Sequence, residues 1–358
     1  MRTLLRPTAF VDSPFGHDGK VARLAGGLNW FAAVELLAID GNRRTATELL
    51  PVEGVESRFD DDLASQWKAV TSPWPPLQLG DRTIRLDQPQ VMGIVNVTPD
   101  SFSDGGRFAD ASAAASAGAD MATAGAAIID VGGESTRPGA KLVWEGEEIE
   151  RAVPVIRQLA AGGAAVSIDT RKADVMTAAL EAGARLVNDV SALTYDDRSA
   201  EIIAAAGVPV VLMHHRGNPA TMQQDPRYDD VLVEVYLWFE ERIVAAQAAG
   251  IARDKILIDP GFGFGKNVSH NLELMNGLAI FHTLGCPVVV GASRKRTIGA
   301  LSNEAPSDQR LGGSLAFALK AVEQGVQIVR VHDVPETVQA LRVWRGLKDQ
   351  ALTPKSTA

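Results

Sequence analysis

The sequence holds a single cysteine, Cys286, in 358 residues. No internal disulfide is possible, and the chain reads as one suited to a reducing compartment, the cytoplasm. Long apolar runs are missing too. None approaches the roughly 18 residues that a membrane span requires. Met1 to Phe10 carries two Arg and no continuous apolar stretch, so no secretory signal is read there. Positive charge is also short: 35 Lys and Arg stand against 44 Asp and Glu, for a net charge of −9. With no basic run, general binding of nucleic acid is argued against, and no membrane partner is expected. An anionic ligand must then be held by a local basic cluster, not by the global field.

What is present is ordinary for a folded protein: 46% apolar and 22% charged residues, enough for a large core. The length suggests two domains, or one large α/β unit with an addition. Residues 1–71 read as an N-terminal extension, most simply a small capping or interaction domain. Within it the run Leu28 to Ile39 is continuously apolar and fits either a strand or a buried helix. Residues 72–88 combine the Pro-rich linker Ser72-Pro73-Trp74-Pro75-Pro76 with a hairpin pattern, Leu77 to Leu86, turning at Gly80-Asp81. Residues 89–348 form the main unit, and 349–358 a C-terminal tail.

From Val91 onward short β-branched runs alternate with Ala- and Leu-rich stretches. Strands are predicted over Val91–Val97, Ile128–Gly132, Ala165–Thr170, Arg185–Val190, Val208–Met213, Lys255–Asp259, Pro287–Gly291 and Gln327–Val331. Helices are predicted over Ala111–Gly125, Glu145–Ala160, Ala173–Ala182, Val231–Ala249, Leu272–Leu284, Gln309–Gln324 and Glu336–Leu347, several followed or closed by Gly. Eight such units point to the α/β class and a (β/α)8 TIM barrel with an additional small N-terminal domain. A doubly wound sheet is the weaker choice, since no Gly-x-Gly-x-x-Gly turn follows the first strand.

Barrel enzymes place their chemistry at the C-terminal ends of the strands. Those ends are polar here: Asn96, Asp130, Asp169, Asn188, His214, Asp259, Ser293-Arg294-Lys295 and Arg330-Val331-His332. Asp169, Asn188 and Asp259 are acceptors suited to a flat heterocycle bearing amino and ring N–H groups. Lys295, Arg294 and Arg330 make a cationic arc beside Asn96, suited to phosphate oxygens. Asn96 and His332 suit a divalent metal held mainly by such a ligand. Taken singly each has a plainer reading: Asp169 as a helix N-cap, the Lys and Arg residues as solvated charges, His214 as a satisfied structural histidine.

Longer motifs carry a resemblance. Met92-Gly93-Ile94-Val95-Asn96-Val97-Thr98-Pro99-Asp100-Ser101-Phe102-Ser103-Asp104-Gly105-Gly106, Gly132-Gly133-Glu134-Ser135-Thr136-Arg137-Pro138-Gly139, Asp259-Pro260-Gly261-Phe262-Gly263-Phe264-Gly265-Lys266 and Ser293-Arg294-Lys295 resemble those of the dihydropteroate synthases, in order, over about Gln88 to Leu347. The resemblance implies a transferase of folate biosynthesis that joins 6-hydroxymethyl-7,8-dihydropterin pyrophosphate to p-aminobenzoate. It implies Asp169, Asn188, Met213, Asp259, Phe264, Gly291 and Lys295 at the pterin, and Asn96, Arg330 and His332 at the pyrophosphate. Mg²⁺ would sit at Asn96. Phe102, Thr136, Arg137, Pro138, Ser293 and Arg294 would face p-aminobenzoate, and Asp169, Lys295, Arg330 and His332 would carry the catalysis. It further implies sulfonamide binding and a homodimer. One departure is His215, where the family usually has Met; an outer contact is expected for it by strand alternation. The competing readings are a methyltetrahydrofolate-binding methyltransferase and a non-catalytic pterin-binding scaffold, neither of which needs the strand 1 and 2 loops or Ser293-Arg294-Lys295.

Overall fold

The computed structural model describes residues 2–97, 107–135, 142–217 and 222–353. The chain opens with an antiparallel sheet: β1 (Arg2–Val11), β2 (Ala22–Arg23), β3 (Trp30–Asp40) and β4 (Arg43–Pro51), with β3 paired to the other three. The run from Leu28 is therefore resolved as strand, not helix. It is largely apolar because β3 is covered on both faces, with Asn29 and Glu35 bonded to Val322 O and Arg6. Phe31, Val34 and Leu36 join Leu5, Val55, Leu63 and Val70 in a core of the extension's own, whereas Leu37 and Ile39, with Leu4, are part of the main core. Helix α1 (Asp61–Thr71) closes the extension, its N-cap Asp60 accepting from Leu63 N. The extension thus shares buried apolar surface with the barrel, and Asn29 Nδ2 donates to Val322 O at 2.7 Å.

The hairpin β5 (Leu77–Leu79) and β6 (Arg82–Ile84) follows, as the sequence predicts. Eight parallel strands come next: β7 (Gln90–Asn96), β8 (Ile128–Gly132), β9 (Val166–Asp169), β10 (Leu186–Asp189), β11 (Val210–Met213), β12 (Ile256–Asp259), β13 (Val289–Val290) and β14 (Ile328–Val331). Their order runs β12-β11-β10-β9-β8-β7-β14-β13, and a parallel bridge from Ile258 to Val288 closes the ring. The helices are α2 (Arg107–Ala124), α3 (Glu145–Ala161), α4 (Ala173–Ala182), α5 (Ser199–Ala206), α6 (Val231–Ala248), α7 (Val268–Gly277), α8 (Arg296–Leu301), α9 (Leu311–Glu323) and α10 (Val334–Ala351). The TIM barrel is thereby in place. The helix predicted over Leu272–Leu284 is corrected: α7 ends at Gly277 and a 3-10 turn runs from Leu278 to Leu284. Helices α1, α5 and α8 were not anticipated.

The inside of the barrel sets up the site. Side chains alternate along each strand, so every second residue points inward. Met92, Ile128, Ala165, Leu186, Val211, Leu257, Val289 and Ile328 form one buried layer with Leu77, Leu79, Ile84 and Leu86. The hairpin therefore plugs the N-terminal mouth. Two residues further along the same strands stand Ile94, Asp130, Ser167, Asn188, Met213, Asp259, Gly291 and Arg330. A barrel core is normally filled by branched apolar side chains. Here the layer next to the C-terminal mouth is polar.

Candidate active site

One cation and three acceptors organise that layer. Arg330 Nε donates to Asp130 Oδ2 at 2.6 Å, and Arg330 Nη2 to Asp169 Oδ2 at 2.7 Å. Asn188 Nδ2 donates to Asp130 Oδ2 at 3.1 Å. A single guanidinium thus faces two buried carboxylates. Asp130 Oδ1 and Asp169 Oδ1 are buried without a hydrogen-bond partner among the described residues. Burial pushes the Asp169 carboxyl up, to about 7, with Asp130 adding to the rise and Arg330 opposing it. Asp259 is raised as well, by burial first, although its Oδ1 accepts from Gly261 N at 2.7 Å. Unmade acceptor bonds of this kind are expensive unless a ligand completes them.

Above this floor lies a cavity of about 740 Å³, lined among others by Asn96, Asp169, Phe264, Ser293, Arg294, Lys295, Arg330 and His332. The fold thus brings eight of the sequence-predicted residues to one space. Lys295 Nζ stands 4.1 Å from the centroid of the Phe264 ring. His332 N and Nδ1 lie 3.2 and 3.1 Å from Ser293 Oγ. A β-carbon at Gly291 would stand 3.5 Å from Asp259 Oδ2 and 3.8 Å from Arg330 Cβ, so glycine keeps this wall open. Met213 pairs in register with Asp259 and is buried. The expected cationic arc of Lys295, Arg294 and Arg330 lines this cavity, and two of its members carry carboxylate partners. Arg294 Nε and Nη2 are bound to the carboxylate of Asp333, and Arg330 is held by its two Asp partners. Among the described residues two of the five N–H groups of Arg330 are used, which leaves donors to offer.

The loop after β12 is built to be rigid. Lys266, 2% exposed, donates to His214 Nδ1 at 2.8 Å, Gly261 O at 3.0 Å and Phe264 O at 3.1 Å. Burial holds His214 and Lys266 well below their usual ranges, so an uncharged imidazole accepts at Nδ1. His214 packs on Trp238 with ring centroids 4.8 Å apart, the structural role that is its plainer reading. Only glycine fits at 261 and 265: both have positive φ, and a β-carbon would come within 1.9 Å of His214 O and 2.3 Å of Arg216 O. His215 is half-buried, its Nδ1 3.1 Å from Gly217 O, and burial lowers its pKa.

A second buried cluster pinches the strand 2 loop at its base. Glu134 Oε1 accepts from Val143 N at 3.1 Å, while Lys172 Nζ donates to Val143 O at 2.6 Å and to Glu148 Oε2 at 2.7 Å. Phe102, Thr136, Arg137 and Pro138 lie outside the described residues. Sequence reasoning assigned no role to Asp130, Lys172, Glu148 and Lys266. Asp130 was findable, since it sits two residues after an inward Ile128. The others were not, because their partners come from other loops. For a metal, no group of three or more His, Cys, Asp or Glu able to hold one is found among the described residues. Asn96 fits Mg²⁺ only in the manner in which that ion keeps most of its ligands from phosphate and water.

Similarity to known proteins identifies the family. A family model described as pterin binding enzyme matches residues 92–332. Dihydropteroate synthase of Escherichia coli strain K12 is 51% identical over 262 residues, 73% of this chain and 92% of that one. That match leaves the relative little length for a counterpart of the N-terminal extension. A probable bifunctional folylpolyglutamate synthase/dihydropteroate synthase of Haloferax volcanii is 41% identical over 316 residues, 87% of this chain and 36% of that one. Among solved structures, Xanthomonas albilineans dihydropteroate synthase with 4-aminobenzoic acid is 47% identical with a TM-score of 0.73, covering 78% of this chain and 100% of that one.

Proposed function

This chain belongs to the pterin-binding enzyme family, its activity is that of a dihydropteroate synthase, and we propose how its residues divide the work. The reaction joins 6-hydroxymethyl-7,8-dihydropterin pyrophosphate to p-aminobenzoate, giving 7,8-dihydropteroate and pyrophosphate. The observation that supports our assignment best is the unpartnered, buried Asp169 Oδ1 beside a guanidinium that already serves two carboxylates. Amino and ring N–H groups of a pterin supply the missing donors to Asp169 and Asp259, and Asn188 adds its amide oxygen. Phe264 and Met213 cover the ring faces, and Lys295 meets an acceptor at the ring edge.

The pyrophosphate oxygens take the remaining N–H donors of Arg330, with Asn96 and His332 beside them. Asn96 would hold a Mg²⁺ ion on the protein side, and the charge neutralisation such an ion supplies would ease departure of the pyrophosphate. The bond from the exocyclic carbon to the pyrophosphate oxygen breaks first, and the pair of electrons leaves with the pyrophosphate. Positive charge then spreads over the pterin. The buried carboxylates of the barrel mouth are already placed toward that charge. The amino nitrogen of p-aminobenzoate, held by Ser293 with Phe102, Thr136, Arg137 and Pro138, forms the new C–N bond and loses a proton. No side-chain nucleophile is required.

We further read the protein as a cytoplasmic homodimer. Val343 and Leu347, 62% and 68% exposed one turn apart on α10, support an apolar contact there. No helix among the described residues is long and apolar enough to cross a membrane. Calorimetric titration with the dihydropterin tests the site assignment. Affinity is expected to rise when pyrophosphate and Mg²⁺ are present. Pterin binding indifferent to both would return the methyltransferase and scaffold readings.

A further inference from the structure

The N-terminal extension is absent from the reaction described above, yet two of its arginines reach the loop that walls the cavity. The first two residues of β4, Arg43 and Arg44, reach the start of α6. Arg43 Nη2 lies 2.9 Å from Asp229 Oδ1. Arg44 Nη2 lies 3.0 Å from Asp230 Oδ2 and 3.5 Å from Glu273 Oε1 on α7. Asp230 is the N-cap of α6, its Oδ1 accepting from Leu232 N and Val233 N. At the other end of the same face Arg2 grips Glu240 through two bonds of 2.5 and 2.6 Å. Ten residues of helix separate the two grips, about 15 Å.

The segment entering α6 leads directly into the cavity wall. Pro226 and Gln223 line the cavity, three and six residues before Asp229. Gln223 Nε2 donates to the carbonyl of Gly263. Tyr228 OH donates to Gly265 O at 2.9 Å, which fixes the residue after Phe264. Arg216 closes the group, with Nη1 2.8 Å from Glu234 Oε2 and its guanidinium 4.6 Å over the Tyr228 ring. Glu234 in turn accepts from Asp229 N at 2.6 Å. Arg44 thus holds Asp230, and Tyr228, two residues earlier in the same segment, holds the Phe264 loop.

We propose that Arg44 is a positioning residue for the pterin pocket, with the start of β4 acting as an external brace on the Gln223–Asp230 segment and through it on Phe264. The proposal rests on the pterin assignment above. Since the brace touches neither the pyrophosphate nor the arylamine side, it acts on pterin affinity and not on the chemical step. Relatives without the extension carry out the reaction, which agrees with a role in affinity.

The test uses the full chain with Arg44→Ala, Arg44→Lys, Tyr228→Phe and the double variant Arg44→Ala/Tyr228→Phe. Arg44→Ala is expected to raise KM for the pterin pyrophosphate about threefold to tenfold, with kcat and KM for p-aminobenzoate within twofold of wild type. Arg44→Lys, which retains an ion pair to Asp230, restores most of the loss. Tyr228→Phe gives a similar shift, and the double variant shifts less than the product of the two. Direct titration of pterin by fluorescence repeats the comparison without turnover. If wild type itself binds no pterin, the functional assignment fails. If wild type binds and Arg44→Ala binds equally well, the brace is refuted, whatever its melting temperature. Equal loss in kcat and in both KM values, or shifts that multiply in the double variant, refutes it too. Should Arg44→Ala not fold, the Arg44→Lys and Tyr228→Phe comparison decides the question by the same pterin-selective shift or its absence.

Discussion

Replacing Asp169 with Asn separates binding from stability. The substitution keeps the shape of the side chain and removes its charge. In the free protein three effects compete. The Arg330 Nη2 bond at 2.7 Å loses its charged acceptor, a loss of about 1.5–3 kcal/mol. A buried carboxylate oxygen with no partner disappears, which returns about 1–3 kcal/mol. Arg330 keeps Asp130 at 2.6 Å, so no buried cation is left unpaired. Burial disfavours the ionised carboxyl in the fold, so at neutral pH the variant is expected to melt no lower than wild type. Binding of the pterin has no such compensation. A charged acceptor for its N–H groups is worth about 1.5–3 kcal/mol, so affinity falls about tenfold to a hundredfold. Thermal melting followed by circular dichroism, with a fluorescence titration on the same sample, measures both. A variant that melts many degrees lower yet binds pterin as wild type does would show that Asp169 is structural, and the reasoning would be wrong.

Other perturbations address the rest of the site. The raised pKa of Asp169 means that the fold holds a proton more tightly than the unfolded chain, so this contribution is complete below about pH 3.8 and lost as pH rises through about 7. Wild type is thus expected to lose stability relative to Asp169→Asn across that window; parallel melting curves from pH 4 to 8 would contradict it. Gly291→Val should fold normally, since the first added carbon meets only ordinary contacts, yet abolish pterin binding by filling the open wall; tight binding in that variant places the ring elsewhere. Lys266→Met leaves three acceptors unmade and should cost about 2–4 kcal/mol by urea unfolding, an effect that a surface lysine would not produce. A sulfonamide should compete with p-aminobenzoate in steady-state kinetics, and noncompetitive inhibition would mean a differently built pocket.

Much of this molecule is legible in its sequence because its periodicities are local. The eight strands and most helices follow from β-branched runs, Ala-rich stretches and closing glycines, and the polar strand ends mark the mouth of the barrel. Legibility stopped where partners are distant in the chain. The sequence shows Arg330 as a cation and Asp169 as an acceptor. That the two are bound together, with Asp130 on the same guanidinium 200 residues away, depends on ring closure. The sequence shows Arg294 as a cation at a strand end; its pairing with Asp333, 39 residues on, is visible only in the fold. The Leu28 to Ile39 run was ambiguous because a strand buried on both faces loses its alternation, and both its covers come from elsewhere. Lys266 is invisible for the same reason, as its acceptors come from a folded loop and the end of another strand.

The account turns on whether this polar barrel mouth performs the condensation. The direct measurement is pyrophosphate release from the purified full chain with 6-hydroxymethyl-7,8-dihydropterin pyrophosphate, p-aminobenzoate and Mg²⁺, with 7,8-dihydropteroate identified by mass and Lys295→Ala run alongside. Release that requires p-aminobenzoate, yields dihydropteroate in equal amount and falls sharply in Lys295→Ala is the predicted result. Release in the absence of p-aminobenzoate with no dihydropteroate formed, or a Lys295→Ala variant as active as wild type, would contradict it.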